Sequence, residues 1–128
     1  MDSITQLPAL RERMHYWKKR LRLSGWRIKL RWAAPGELDA QASFVAEVRK
    51  RQAVIRLQPL SLSPADVERD PLETSLIHEL LHLHFEPVCP HETRTESVDR
   101  DLEQAIDSIA FALYRTEYPK WKDPFEHS

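Results

Sequence analysis

The sequence predicts a small α+β domain with the element order α-β-β-β-α-α. Three observations predict it: apolar residues recur at helical spacing near the start, then alternate with polar residues, then return to helical spacing. A chain of 128 residues fits one domain with one core, so residues 1–128 are treated as a single domain. Hydrophobic residues make up 41% and charged residues 30%, which is ordinary for a globular protein and argues against disorder.

Composition also narrows the class of partner. The net charge of −1 gives no general attraction to nucleic acid or membranes, so nucleic acid is an unlikely partner. No run approaches the ~20 apolar residues of a membrane span. Cys89 is the single cysteine, and the first residues lack the pattern of a signal peptide. We therefore expect a cytoplasmic protein with no membrane partner, and the oligomeric state stays open.

The first helix and the three strands follow from periodicity. Apolar residues recur at helical spacing from residue 7 to residue 21, which predicts a first helix, and Gly25 indicates that it ends nearby. Residues 26–32 alternate between apolar and basic side chains, which predicts a half-buried strand. Residues 43–48 and 53–57 resemble two further strands, and the short link 49–51 suggests a hairpin. The basic residues of these strands are interpreted as a solvated outer face.

Two further helices are predicted from start and stop signals. Asp70 can cap a helix with Pro71 in the first position and Glu73 in the third, and Pro87 ends it near residue 85. Thr93 and Glu96 have the spacing of a second capping box, which predicts a long helix to about residue 114.

The first of these helices carries a metal-binding motif. His78 and His82 lie four residues apart, so on a helix they are roughly 40° apart around the axis and one turn apart along it. Two imidazoles placed in this way can bind one Zn²⁺ from the same side. Glu79 lies at the edge of that face, where its carboxylate can reach a metal-bound water without binding the metal.

A catalytic zinc site needs a third protein ligand and one open position. Glu103 and Asp107 lie four residues apart beside an expected core-facing apolar arc of Leu102, Ala105, Ile106, Ile109, Ala110 and Leu113. At the margin of that arc they can face the histidines. Glu103 would then complete a His-His-Glu site, and Asp107 would accept the second N–H of a ligand histidine.

The run His78-Glu79-Leu80-Leu81-His82, followed by the downstream Glu103 and Asp107, resembles the gluzincins, the thermolysin-like metallopeptidases. The element order resembles the small minigluzincins and phage or bacterial zincin-like metallopeptidases. The resemblance implies a zincin-like fold and one Zn²⁺ bound by His78, His82 and Glu103. It also implies that Asp107 orients a ligand histidine by accepting a hydrogen bond from its ring. It implies a metallopeptidase that hydrolyses peptides or unfolded protein, with Glu79 as general base activating a zinc-bound water. It also implies that the peptide pairs with an edge strand, for which residues 53–57 are the first choice.

Three other residues are weaker candidates for the site. Glu96 lies seven residues before Glu103 and is the alternative carboxylate ligand, although a capping role competes. His91 is an alternative third ligand, although its spacing from the motif is not that of a three-histidine site. Tyr114 continues the stripe of Glu103 and is a candidate for stabilising an oxyanion. His84 is interpreted as a core or edge histidine.

Competing interpretations of function remain at this stage. Two histidines can be polar residues on an exposed helix face, but the widely apolar helix around them predicts burial. The larger enzymes of the family carry a further subdomain that supplies an oxyanion-stabilising residue, which this chain is too short to contain. A zinc-stabilised binding or regulatory module is therefore the alternative function. Residues 115–128 could form a tail over the cleft, with Asp123, Glu126 or His127 reaching the metal. A nucleic-acid-associated protease is the less favoured third interpretation.

Overall fold

The structure is a computed structural model that describes residues 7–34, 36–38, 40–58 and 71–122. It is a single small α+β domain of three helices and a three-stranded mixed sheet, in the predicted element order. The elements are α1 (Leu7–Arg20), β1 (Arg27–Trp32), β2 (Ala42–Glu47), β3 (Gln52–Leu57), α2 (Leu72–Phe85) and α3 (Glu96–Glu117). Two short 3-10 turns, Val48–Lys50 and His91–Thr93, link β2 to β3 and α2 to α3. In the described segments, no helix combines the length and apolarity that crossing a membrane would require.

The strands lie in the order β1-β3-β2, with β1 parallel and β2 antiparallel to β3. The predicted β2–β3 hairpin is confirmed, and Arg51 closes its turn in the left-handed region at φ 52°. The expectation that residues 53–57 form an edge strand is wrong, because β3 is paired on both sides. The physical reason is burial: Ile55 and Leu57 are fully buried, and the most buried of the three strands takes the central position.

The two faces of the sheet have different environments. The inner face contributes Leu30, Ile55 and Leu57 to the core, and α2 packs against β2 and β3. The outer face carries the basic residues, as predicted. There the carboxylate of Glu37 accepts hydrogen bonds from Arg31 and Arg56, at 2.9 and 2.5 Å.

Helix α2 is the centre of the domain. It packs against α1, α3, β2 and β3, and its Leu76, Ile77 and Leu80 are fully buried. The prediction of a largely buried motif helix is therefore confirmed. Because α2 is held on several sides, the direction in which its histidines point is fixed by the core.

Both helix starts differ from the sequence interpretation. Asp70 lies outside the described residues, and Pro71 itself is the N-cap of α2 without a side-chain hydrogen bond. The N-cap of α3 is Thr95, whose Oγ1 accepts from the backbone N–H of Val98 at 3.2 Å. Thr93 cannot serve, because it belongs to the 3-10 turn before the helix, and Glu96 is consequently the first helical residue rather than the third.

Helix α3 also buries a narrower face than its apolar arc suggests, and it runs three residues beyond the predicted end at 114. Ile106, Ala110 and Tyr114 are its buried residues, whereas Ala105 and Ile109 are exposed. The expectation that the whole arc packs into the core is wrong, because α2 covers one side of α3 and leaves the adjoining stripe to solvent.

Candidate metal centre

The two motif histidines lie side by side on α2. Their Nε2 atoms are 3.2 Å apart, as expected for residues one helical turn apart on the same face. His82 is buried, and Phe44 of β2 stacks on its ring with centroids 5.0 Å apart. His78 is more open, with 13% of its side chain exposed. The sheet therefore orients one ring while the other faces the cleft.

Helix α3 brings two carboxylates to these rings. The Oε1 atom of Glu103 lies 2.7 Å from Nε2 of His82, and its Oε2 lies 2.9 Å from Nε2 of His78. On the opposite edge of the His78 ring, Nδ1 lies 2.6 Å from Oδ1 of Asp107. The structure thus brings together the four side chains that the sequence singled out as ligands and ligand support. Both carboxylates reach the rings because the i, i+4 spacing places them on one face of α3.

The hydrogen-bonding chemistry of this cluster suits a cation. A neutral imidazole has one N–H. If His78 donates it from Nδ1 to Asp107, its Nε2 turns a lone pair towards Glu103 and His82. One ligand atom from each of His78, His82 and Glu103 lies within 4.8 Å of the others. A tetrahedral zinc with bonds of about 2.1 Å separates its ligand atoms by roughly 3.4 Å. The two Nε2 atoms are 3.2 Å apart, close to that value, whereas the Glu103 oxygens lie 2.7 and 2.9 Å from them, at hydrogen-bonding distance.

His82 differs from His78 in how its ring is held. Its Nδ1 is buried and has no hydrogen-bond partner within the described part of the chain. Stacking on Phe44 takes over the orienting role that a carboxylate usually fulfils for a ligand histidine.

The electrostatics of the cluster favour positive charge. Burial opposes a charged His78, but the hydrogen bond that its ring donates to Glu103 and the negative charges of Glu79, Glu103 and Asp107 outweigh it and raise the pKa of His78 to about 9. The hydrogen bonds from His78 and His82 hold the pKa of Glu103 far below its usual range. Protons and a metal cation compete for the same imidazole lone pairs, so metal binding would release protons.

Glu79 lies beside the cluster in a different environment. Its side chain is 7% exposed, and burial raises its pKa to about 7, against the opposing effect of His78 and His82. A carboxylate whose pKa lies near neutrality can both take up and release a proton under ordinary conditions. This is the property required of a general base that later acts as an acid.

Two cavities lie beside β2 at the cluster and share Ala42, Glu79 and Glu103 in their linings, and together they are called the groove. One, of about 200 Å³, lies between the start of β2, Ser75 of α2 and Phe111 of α3. The other, of about 410 Å³, follows β2 from Ala42 to Ala46 towards His91. Glu79 and Glu103 line both cavities. A ligand lying along β2 would therefore pass directly over them.

The structure does not bring the weaker candidates into the ligand cluster. Glu96 is exposed at the first position of α3. His91 lines the larger cavity, but its Nδ1 accepts a hydrogen bond from Arg94 at 2.7 Å. Tyr114 is buried against Tyr118 and Trp121 and lines neither cavity, so it offers no hydroxyl to the groove. His84 is exposed, and its Nε2 contacts the carbonyl oxygen of Leu21, which agrees with an edge histidine.

Sequence reasoning missed two residues that support the site. Phe44 occupies an inward-facing position of a predicted strand, so its contact with the motif helix was foreseeable. The strand pattern does not indicate which side chain of that helix it contacts. Arg94 gave no signal, since it lies in a proline-containing link. Its side chain is 2% exposed and binds Asp99 at 2.8 Å and Glu86 at 3.4 Å. It thereby fixes the connection that sets α3 against α2.

The tail hypothesis is answered only in part. Residues 115–117 belong to α3, and Trp121 stacks on Phe111, with ring centroids 6.1 Å apart. Asp123, Glu126 and His127 lie outside the described residues.

Comparison with protein-family models, curated proteins and solved structures found no match to this chain. Function is therefore inferred from the motif and from the geometry of the site.

Proposed function

We propose that this protein is a zinc-dependent metallopeptidase of the gluzincin type. His78, His82 and Glu103 would bind one Zn²⁺, and Asp107 would hold His78 in the tautomer that presents Nε2. The observation that carries the proposal is the convergence of two Nε2 atoms and the Glu103 carboxylate, with a second carboxylate 2.6 Å behind one ring. This arrangement joins residues 25 and 29 positions apart, so helical periodicity alone does not account for it.

Bound Zn²⁺ supplies a Lewis acid that polarises the scissile carbonyl and acidifies a nearby water molecule. Glu79 would take the proton of that water and deliver it to the leaving amine. Its position supports this role, because it lines both cavities and is not one of the three clustered ligands. Its raised pKa favours proton delivery as well as proton uptake.

The substrate would be an extended peptide lying along β2. Among the described residues that strand pairs with β3 alone, so its other side would serve for backbone pairing with a peptide. The two cavities would then take side chains from either side of the scissile bond. We also propose a zincin-like topology. It is supported by the order of the elements around the groove, which are an edge strand, the motif helix and then the proposed ligand helix.

Metal content and hydrolysis of casein test the mechanism. Glu79→Gln should bind the same amount of zinc as the wild type and should lose at least about 100-fold in rate, since the general base is gone. Glu92→Gln is the matched control, because Glu92 lines the larger cavity but is exposed. It should cleave at the wild-type rate. Undiminished cleavage by Glu79→Gln would remove Glu79 from the mechanism.

A zinc-stabilised binding module is the second candidate, and the burial of Tyr114 favours it. With Tyr114 in the core, neither cavity has a tyrosine hydroxyl among its lining residues. This candidate predicts that zinc raises the melting temperature while the wild type cleaves no unfolded protein. Loss of zinc binding in Glu103→Gln is expected from both candidates. Unchanged zinc affinity in that variant would contradict both.

A further inference from the structure

Helix α3 carries a mostly exposed stripe, of which the half-buried Leu102 also packs against the core. Its members recur at alternating intervals of four and three residues, which is the spacing of a coiled-coil seam. The stripe consists of Val98, Leu102, Ala105, Ile109, Ala112 and Thr116. Val98 and Ile109 are 44% and 40% exposed, and both alanines are exposed. Large apolar side chains at this spacing on a solvent face are typical of a helix that packs against another helix.

The sizes of these residues complement each other when the stripe is reversed. Residue 107 lies at its midpoint, with Leu102 and Ala112 equally distant on either side, and likewise Ala105 and Ile109. If a second α3 is laid antiparallel about that midpoint, Leu102 and Ile109 each face an alanine, and Val98 faces Thr116. Such alternation of large and small residues lets two helices approach closely without voids.

The flanking charges suit the same antiparallel arrangement. Asp101 and Arg115 lie on one flank of the stripe, six residues before and eight residues after its midpoint at residue 107. In a dimer centred on that midpoint, Asp101 of each copy lies within one helical turn of Arg115 of the other. A guanidinium has five N–H donors, so Arg115 can donate to Asp101 of the other copy in addition to its contacts within the chain. A parallel arrangement would instead place like charges side by side.

We propose that the partner for this stripe is a second copy of this chain, which binds as a twofold-symmetric, antiparallel α3–α3 dimer. An isologous interface requires a self-complementary patch, and both the sizes and the charges of the stripe meet that requirement. The contact involves one helix from each copy and falls below the ~1,600 Å² of a standard interface, so the dimer is weak and depends on concentration.

The dimer leaves the metal centre open. Glu103 and Asp107 project from α3 roughly 160° away from the stripe, taking 100° per residue. His78 contacts both of these carboxylates and therefore lies on the side of the helix away from the stripe. The proposal therefore does not depend on zinc binding or on peptidase activity.

Sedimentation equilibrium of the full chain from about 5 to about 200 µM tests self-association. The wild-type mass should rise from 15.1 kDa towards twice that value as the concentration increases. Ile109→Glu places two charges at the twofold seam and should stay monomeric. Gln104→Glu, which adds the same charge on the same helix outside the stripe, should associate like the wild type. A wild type that stays monomeric at every concentration, or an Ile109→Glu variant that associates equally well, overturns the proposal.

A charge-reversal experiment tests the antiparallel register. Asp101→Arg gives facing arginines in its homodimer, and Arg115→Asp gives facing aspartates, so each variant alone should be monomeric. A mixture of the two restores opposite charges at both ends and should form a heterodimer. Circular dichroism checks that each variant keeps its helix content. If Arg115→Asp does not fold, Asp101→Arg, a change at an exposed position, tests the register by itself. If the mixture associates no better than either variant alone, or Asp101→Arg dimerises like the wild type, the register is wrong.

Discussion

At the residue scale, the site depends on which ring atom of each histidine carries a proton. Asp107 faces Nδ1 of His78, and this leaves Nε2 for the position shared with His82 and Glu103. His82 has no such carboxylate among the described residues, and its ring is held by Phe44 instead. The two rings thus reach the same geometry by different means. Their responses to mutation should differ accordingly.

Asp107→Ala should weaken zinc binding by about 10- to 100-fold, because it removes the acceptor that fixes the tautomer of His78. The side chain of Asp107 is 61% exposed, so the free energy of unfolding should change by less than about 0.5 kcal/mol. Competition with a chromogenic chelator measures the affinity. Asp101→Ala, an exposed change on the same helix, is the control, and an equal loss of affinity in both would contradict a specific role for Asp107.

Glu37→Gln should lower stability at neutral pH but not in strong acid. Hydrogen bonds from the Arg31 side chain, the Ala34 backbone N–H and the Arg56 side chain lower the pKa of Glu37 from 4.5 to about 2. Between these two values the unfolded chain binds more protons than the folded one, so this stabilisation is present above pH 4.5 and lost as the pH falls towards 2. Urea midpoints at pH 7 and at pH 3 measure it. A difference between variant and wild type that is independent of pH would contradict the assignment.

At the scale of the element, α3 combines several roles on different faces. One face packs on α2 and carries Glu103 and Asp107, while another presents the exposed stripe that includes Ile109. Its start is fixed by Thr95 rather than by Thr93. Successive residues are rotated by roughly 100° around the helix axis. If α3 began one residue earlier or later at the same point in space, the face that carries Glu103 and Asp107 would be turned by that angle.

Thr95→Ala should reduce the free energy of unfolding by about 1 kcal/mol, since it removes the acceptor for the N–H of Val98. Thr93→Ala is the comparison that separates the structure from the sequence-based assignment. Its hydroxyl contacts the Pro90 carbonyl outside the helix, at 3.1 Å, so its loss should cost less. Chemical denaturation of both variants measures the difference. A larger effect at Thr93 would restore the capping box predicted from sequence.

At the scale of the whole molecule, the helices are joined by a buried carboxylate at the start of α2, outside the candidate ligand cluster. Glu73 is 3% exposed and accepts hydrogen bonds from Trp17 at 2.7 Å, Tyr118 at 2.8 Å and Arg13 at 3.0 Å. Arg13 also binds Glu117 at 2.8 Å. This network ties α1 to the start of α2 and to the end of α3. It holds the motif helix and the ligand helix to a common support.

Glu73→Gln should lower the free energy of unfolding by about 3 kcal/mol, because it leaves Arg13 without its buried counter-charge and turns amide hydrogens towards existing donors. Glu117→Gln, which removes the more exposed partner of the same arginine, should cost clearly less. Urea denaturation at constant zinc compares the two. Equal effects, or none for Glu73→Gln, would show that the network does not hold the helices together.

The sequence by itself determined the element order and the residues of the cluster. Periodicity fixes which side chains share a face, so His78 with His82, and Glu103 with Asp107, could each be paired from spacing alone. Those relations are local: they extend over one turn of a helix and need no knowledge of the rest of the chain.

The tertiary structure decided the relations between elements. It placed β3 in the middle of the sheet and so made β2 the strand beside the site. It made Glu73 a buried link between helices rather than a cap, and it left Val98 and Ile109 of α3 exposed. These outcomes depend on which apolar faces compete for the same core, and burial free energy is non-directional. A pattern that predicts a buried face therefore does not say what will cover it.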